Sequence, residues 1–111
     1  MIQQIKEQSY LSIVAVLNRR DTDVYKFLNI MDKFCKQKFT NYEFIFVDNN
    51  APKNTIDQII NQLNNSGIRA NLVNFPYEVN KERAILAGVD AAIGDYVFEF
   101  EDTKRLYRFV V

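Results

Sequence analysis

The chain reads as an α/β protein, a three-layer αβα arrangement around a mainly parallel sheet, and three observations lead there. Residues Tyr10 to Leu17 (YLSIVAVL) form a nearly continuous apolar, β-branched run, as suits a strand covered on both faces. Strand-like and helix-like segments then alternate three times, the pattern of right-handed βαβ units with helices on both faces of the sheet. Two of the strand-like runs empty into polar clusters, Asp48-Asn49-Asn50 and Glu101-Asp102-Thr103. The carboxyl ends of parallel strands open onto a crevice where ligands bind, so side chains released there are candidate contacts rather than core.

Taken in order, the Tyr10–Leu17 strand is followed by Val24, Phe27, Leu28, Met31, Phe34 and Cys35 at helical spacing. That spacing predicts a helix from about Asp23 to Lys38, with Thr22 or Asp21 able to cap its first turn. Tyr42 to Val47 predict a second strand, and the turn-forming stretch 49–54 breaks it. Thr55-Ile56-Asp57-Gln58 has the form of a capping box, and Ile56, Ile59, Ile60 and Leu63 make one apolar stripe. Ser66-Gly67 predicts the end of this helix near Asn65. Ile68 to Phe75 is a weaker strand, placed nearer an edge, and Pro76 closes it. From Lys81 to Ala92 the apolar face is built from Ala84, Gly88, Ala91 and Ala92, flanked by Ile85, Leu86 and Val89, so the helix can approach a sheet closely. Gly94 ends it, and Tyr96 to Phe100 predict a fourth strand.

Composition narrows the function. At 111 residues, with 48% apolar residues and nine Phe, the chain is sized for a single domain, residues 1–111, with a substantial core. Fourteen basic and fourteen acidic residues cancel, and no basic stripe is visible, so no nucleic-acid partner is expected. No apolar run approaches the roughly 18 residues of a membrane span, and a membrane is not evident in this chain; a cytoplasmic setting, or the cytosolic face of a membrane, is expected. Cys35 is the only cysteine and there is no His, so chemistry must rest on carboxylates, amides, Lys, Arg and backbone.

The segments LSIVAVLN, YEFIFVDNN, the N-x-x-x-A-x-x-x-G pattern ending at Gly88, and GDYVFEFED stand in an order that resembles the nucleotide-sugar-binding half of the family 2 glycosyltransferases. The resemblance covers Tyr10 to Thr103 and implies a GT-A, Rossmann-like fold, truncated after the D-x-D-like segment. It implies a nucleotide-diphosphate sugar as partner and inverting glycosyl transfer aided by a divalent cation, Mn²⁺ or Mg²⁺. Carried over by position, Ala15-Val16-Leu17-Asn18 is similar to the family segment that lies against the base, with Ala15 and Leu17 in place of Pro and Tyr. Asp48-Asn49 resembles the acidic pair that holds base and ribose, the second acid being an amide here. Arg83 resembles the basic residue facing the diphosphate, and its planar fork suits phosphate oxygens. Glu101-Asp102-Thr103 resembles the D-x-D segment; Thr103 replaces its last acid, which leaves Glu101 and Asp102 as cation ligands and Asp102 beside the nucleotide. The alternative register, Glu99 with Glu101, lies on a face expected to be buried. The family's catalytic base and acceptor site follow the D-x-D segment, and the chain stops eight residues after Thr103. The fragment by itself is therefore expected not to transfer sugar.

Plainer readings stand beside these. Asp48 can cap the following turn, Arg83 can be a solubilising surface charge, and Glu101 and Asp102 can be solvated turn residues. Cys35, on an apolar stripe, reads as core. A non-enzymatic alternative is a truncated α/β module that self-associates through an exposed sheet edge. A dinucleotide site is disfavoured because no G-x-G-x-x-G follows the first strand.

Overall fold

The computed structural model describes residues 6–20 and 24–100. Its elements are β1 (Leu11–Leu17), α1 (Tyr25–Lys38), β2 (Tyr42–Asp48), α2 (Lys53–Ser66), β3 (Ala70–Asn74), α3 (Lys81–Ala91) and β4 (Tyr96–Phe100). The four strands form one sheet in the order β3-β2-β1-β4, and every pairing is parallel. The sheet therefore grows from β1 through β2 to β3 and then crosses back, so that β4 lies on the far side of β1. This reversal of strand order makes the β1–β4 boundary the switch point of the sheet.

The predicted three layers are present. Leu11, Ile13, Ala15 and Leu17 of β1, with Phe44 and Phe46 of β2, pack under α1 and α2 through Phe27, Leu28, Met31, Cys35, Ile56 and Ile59. On the opposite face Val14, Val16, Ile45 and Val47 meet Ala84 of α3. Both faces of β1 are covered, which is why its seven residues are all buried and read as a continuous apolar run rather than an alternating one. Ring contacts tie β4 to α1, with Phe27 and Phe100 edge-to-face at 5.2 Å.

The small-residue face of α3 works as expected. A Cβ on Gly88 would collide with the Val14 side chain and come within 2.9 Å of Val47 Cγ2, so the absence of a side chain sets how closely α3 lies on the sheet. Gly67 ends α2 at φ 74°, the left-handed conformation that favours glycine.

Several expectations are corrected. α2 begins at Lys53 with Pro52 at the N-cap and no side-chain cap, so Thr55 is a buried residue of the first turn and not the first member of a capping box. Proline fits there because its fixed φ suits helix entry and its missing N–H removes one orphan donor. The third strand is shorter than predicted and forms the sheet edge beyond β2. α1 is helical from Tyr25, with no side-chain cap at Val24; Asp21, Thr22 and Asp23 lie outside the described residues. Glu99 is exposed, not buried, because α3 lies over β1 and β2 and leaves the outer part of that face open.

Candidate functional site at the carboxyl edge of the sheet

β1 and β2 end level with each other, Leu17 pairing with Asp48, and Asp48 pairs in turn with Asn74 of β3. Asp48 is half-buried, and one carboxylate oxygen accepts from the Ala51 amide at 3.0 Å. That bond closes a turn in which Asn50 takes φ 67°, a left-handed conformation asparagine tolerates better than most residues. The capping role is thus real, but it occupies only one oxygen. The other carries no hydrogen bond among the described residues.

Asn49 has a different task. Its carboxamide Nδ2 donates to the Val79 carbonyl at 2.9 Å, and its Oδ1 accepts from the Val79 amide at 2.8 Å. This two-way clamp fastens the loop before α3 onto the carboxyl end of β2, and it leaves Asn49 only 5% exposed. In the next residue, Asn80, the side chain caps α3 by accepting from the Arg83 amide at 2.8 Å. Arg83 is exposed on that first turn. Asn49 therefore sets where the cationic start of α3 stands relative to Asp48.

On the β1 side, Ala15 and Leu17 belong to the strand itself and are fully buried in the α1–α2 core. Covered by α1 and α2, neither side chain is open to a nucleotide at the carboxyl edge, which corrects the contact the resemblance implied for them. Asn18 is the first residue past the strand, and its Oδ1 accepts from the Arg20 amide at 2.9 Å, closing a side-chain turn. β4 ends at Phe100, opposite Ala15. Because only β1 separates β2 from β4, the two strands lie about 10 Å apart at the usual strand spacing, and Phe100 stands two residues short of the level of Asp48. Glu101 and Asp102, the expected cation ligands, and Thr103 lie outside the described residues. Among the described residues no cluster of three His, Cys, Asp or Glu side chains could hold a metal ion.

The opposite edge of the sheet holds a buried polar network that the sequence did not announce. Glu43 is 2% exposed, and its Oε2 accepts from Ser12 Oγ at 2.6 Å and from the Ile93 amide at 2.9 Å. Ser12 Oγ in turn accepts from the Gly94 amide at 2.9 Å, and Asp95 accepts from the Tyr10 amide at 2.9 Å. These bonds join the α3–β4 turn to the start of β1. The available signal was Ser12 inside an apolar strand, which the β1–β2 register pairs with Glu43. A depression of about 320 Å³ lies at this amino edge, lined by Tyr10, Asp32, Tyr42 and Arg69 among others. There Tyr42 donates to Asp32 at 2.6 Å; burial first, and that carboxylate second, raise the Tyr42 pKa. Strand amino ends are not where open α/β sheets bind ligands, so the carboxyl edge remains the candidate.

The family model described as glycosyl transferase family 2 matches residues 13–102. No curated protein sequence matches the chain. No helix among the described residues is long and apolar enough to cross a membrane.

Proposed function

The chain belongs to glycosyl transferase family 2, and we propose that the carboxyl edge of its sheet binds the nucleotide-diphosphate part of a sugar donor used for inverting transfer. The observation that carries this reading is Asp48: a strand-end carboxylate held in place through one oxygen, with the other unengaged among the described residues, one strand from the switch point of the sheet. A carboxylate so oriented accepts from ribose hydroxyls or a base N–H, and charge assistance makes such bonds stronger than neutral ones.

The other roles follow from position. Asn18, the first residue past β1, bounds the nucleoside on the β1 side. Arg83, at the N-terminal turn of α3, meets the diphosphate, where its fork and the helix dipole both favour negative charge. Asn49 acts by fixing the Val79 loop, a positioning role, since its own donor and acceptor are engaged. Glu101 and Asp102 are the residues that would hold Mn²⁺ or Mg²⁺, whose charge would neutralise the leaving diphosphate.

Calorimetry of the chain with UDP and GDP in the presence of Mn²⁺ tests the reading. Binding should be weak but measurable, and Asp48→Asn should lower affinity about tenfold or more by removing a charged acceptor. The Asp48–Ala51 turn survives that change, because asparagine retains an acceptor oxygen. Equal heats from the native chain and the variant, or none from the native chain at millimolar nucleotide, would refute it.

A further inference from the structure

We infer that Tyr77, in the loop between β3 and α3, is the face on which the nucleobase of the donor stacks. The inference rests on the donor site proposed above and names the group that holds its base. Tyr77 is 68% exposed, the most exposed aromatic side chain among the described residues, and it takes part in no ring contact there. A single exposed ring is ordinary on a protein surface. What gives this one a task is the way its loop is held.

The loop is fastened to the two strand-end residues at the centre of the site. The Phe75 amide donates to the Asp48 carbonyl at 3.4 Å, and Val79 is clamped both ways by the Asn49 carboxamide. Tyr77 lies two residues from each anchor, so its Cα is no more than about 7 Å from that of Phe75 or of Val79. Between the anchors Pro76 has a locked φ and holds Phe75 in an extended conformation, which makes the span stiff as well as short. A group placed in advance in this way loses little freedom when a ligand arrives. The loop continues from β3, so it stands on the β3 side of β2, whereas Asn18 follows β1 on the other side. A nucleoside held by the unengaged Asp48 oxygen lies between the two.

A base needs an apolar surface for its face as well as an acceptor for its edge. Asp48 supplies the edge contact. Ala15 and Leu17, where the resemblance put the surface, are fully buried, and Asn49 has both its polar groups on Val79. Tyr25, the other well-exposed ring at this end, opens α1, which covers the opposite face of the sheet from α3 and Arg83. That leaves Tyr77 as the flat apolar group on the Arg83 side. Stacking tolerates any base, because every base has a π-face, so the ring adds affinity without choosing between uracil and guanine.

Titration of the 111-residue chain with UDP and Mg²⁺, followed by NMR, tests this. Tyr77→Ala should raise the UDP dissociation constant roughly tenfold, and Tyr77→Phe should leave it within about twofold, since the ring and not the hydroxyl makes the contact. GDP should show the same loss. Pyrophosphate, which has no base, should bind all three proteins alike. The uracil ring protons should shift upfield with the native chain and with Tyr77→Phe, and should not with Tyr77→Ala. The exposed position lets both variants fold, and matching amide spectra check that. Unchanged UDP affinity in Tyr77→Ala would overturn the inference while leaving Asp48 in its role. An equal loss for pyrophosphate would overturn it too, because the ring would then be propping the loop and not the base. A native chain that binds no UDP at millimolar concentration would bring down the donor site and this inference together.

Discussion

An aspartate at position 49 could accept from the Val79 amide, but it could not donate to the Val79 carbonyl as the Asn49 carboxamide does. Asn49→Asp would set a charged oxygen against that carbonyl in a site only 5% exposed, and should cost about 1–3 kcal/mol. Urea denaturation checks this, and an unchanged midpoint would show that the clamp is dispensable. Position 49 therefore departs from an acidic pair for a structural reason that no strand or turn rule reveals, because its partner lies 30 residues away. Asp48 was legible as a candidate from its place at the end of an apolar run, and its turn-capping role, which the structure shows, was legible too. Cys35 was read from the sequence as core and is fully buried. Burial, and to a smaller extent Asp32, push its thiol up from 9.0 to about 12. The neutral thiol is thus favoured in the fold: below pH 9 it adds no pH dependence, and as pH rises from 9 towards about 12 the unfolded thiol ionises while the folded one does not. Stability should fall across that window, and less steeply in Cys35→Ala. Melts at pH 8 and pH 10.5 test the sign, and equal slopes for the two proteins would contradict it.

At the scale of elements, two glycines look alike in sequence and differ in consequence. A Cβ on Gly88 meets the side chains of Val14 and Val47, whereas one on Gly94 would lie 2.7 Å from the Ser12 amide nitrogen and 2.9 Å from the Tyr10 carbonyl oxygen. Side chains can shift, and alanine regains up to about 1 kcal/mol of helix propensity inside α3, so Gly88→Ala should cost less than the roughly 1–3 kcal/mol of typical overpacking. Gly94→Ala has no such relief, since it pushes backbone against backbone and breaks the Gly94–Ser12 bond. Thermal melts should rank it the more damaging, and the reverse order would contradict the close approach of the α3–β4 turn to β1. The sequence marked Gly88 correctly as a thin helix face and read Gly94 as the stop of α3, which in fact ends at Ala91 with Ala92 as its C-cap. It could not show that the α3–β4 turn is bolted to β1 by Ser12 and Glu43, since that network assembles residues from three distant segments. The start of α2 was misread because a capping box was present in pattern, while Pro52 supplied the entry geometry.

Across the whole molecule, the strand order β3-β2-β1-β4 is what gives the separate residues a common location. Periodicity and alternation predicted the layers and the parallel sheet, because each strand carries its own burial pattern. The order of strands was not legible there, since a right-handed crossover can place the next strand on either side of the last according to the face its helix covers, and neither were the side-chain commitments at the sheet's end. Strand ends at Asp48 and Phe100 flank β1, Asn49 draws the first turn of α3 towards them, and Arg83 rides on that turn. Amide chemical-shift mapping with UDP and Mg²⁺ tests this convergence most directly. Perturbations gathered at residues 17–18, 48–51 and 79–83 are the predicted result. Shifts confined to the amino edge around Tyr10, Tyr42 and Arg69, or none at millimolar nucleotide, would contradict it.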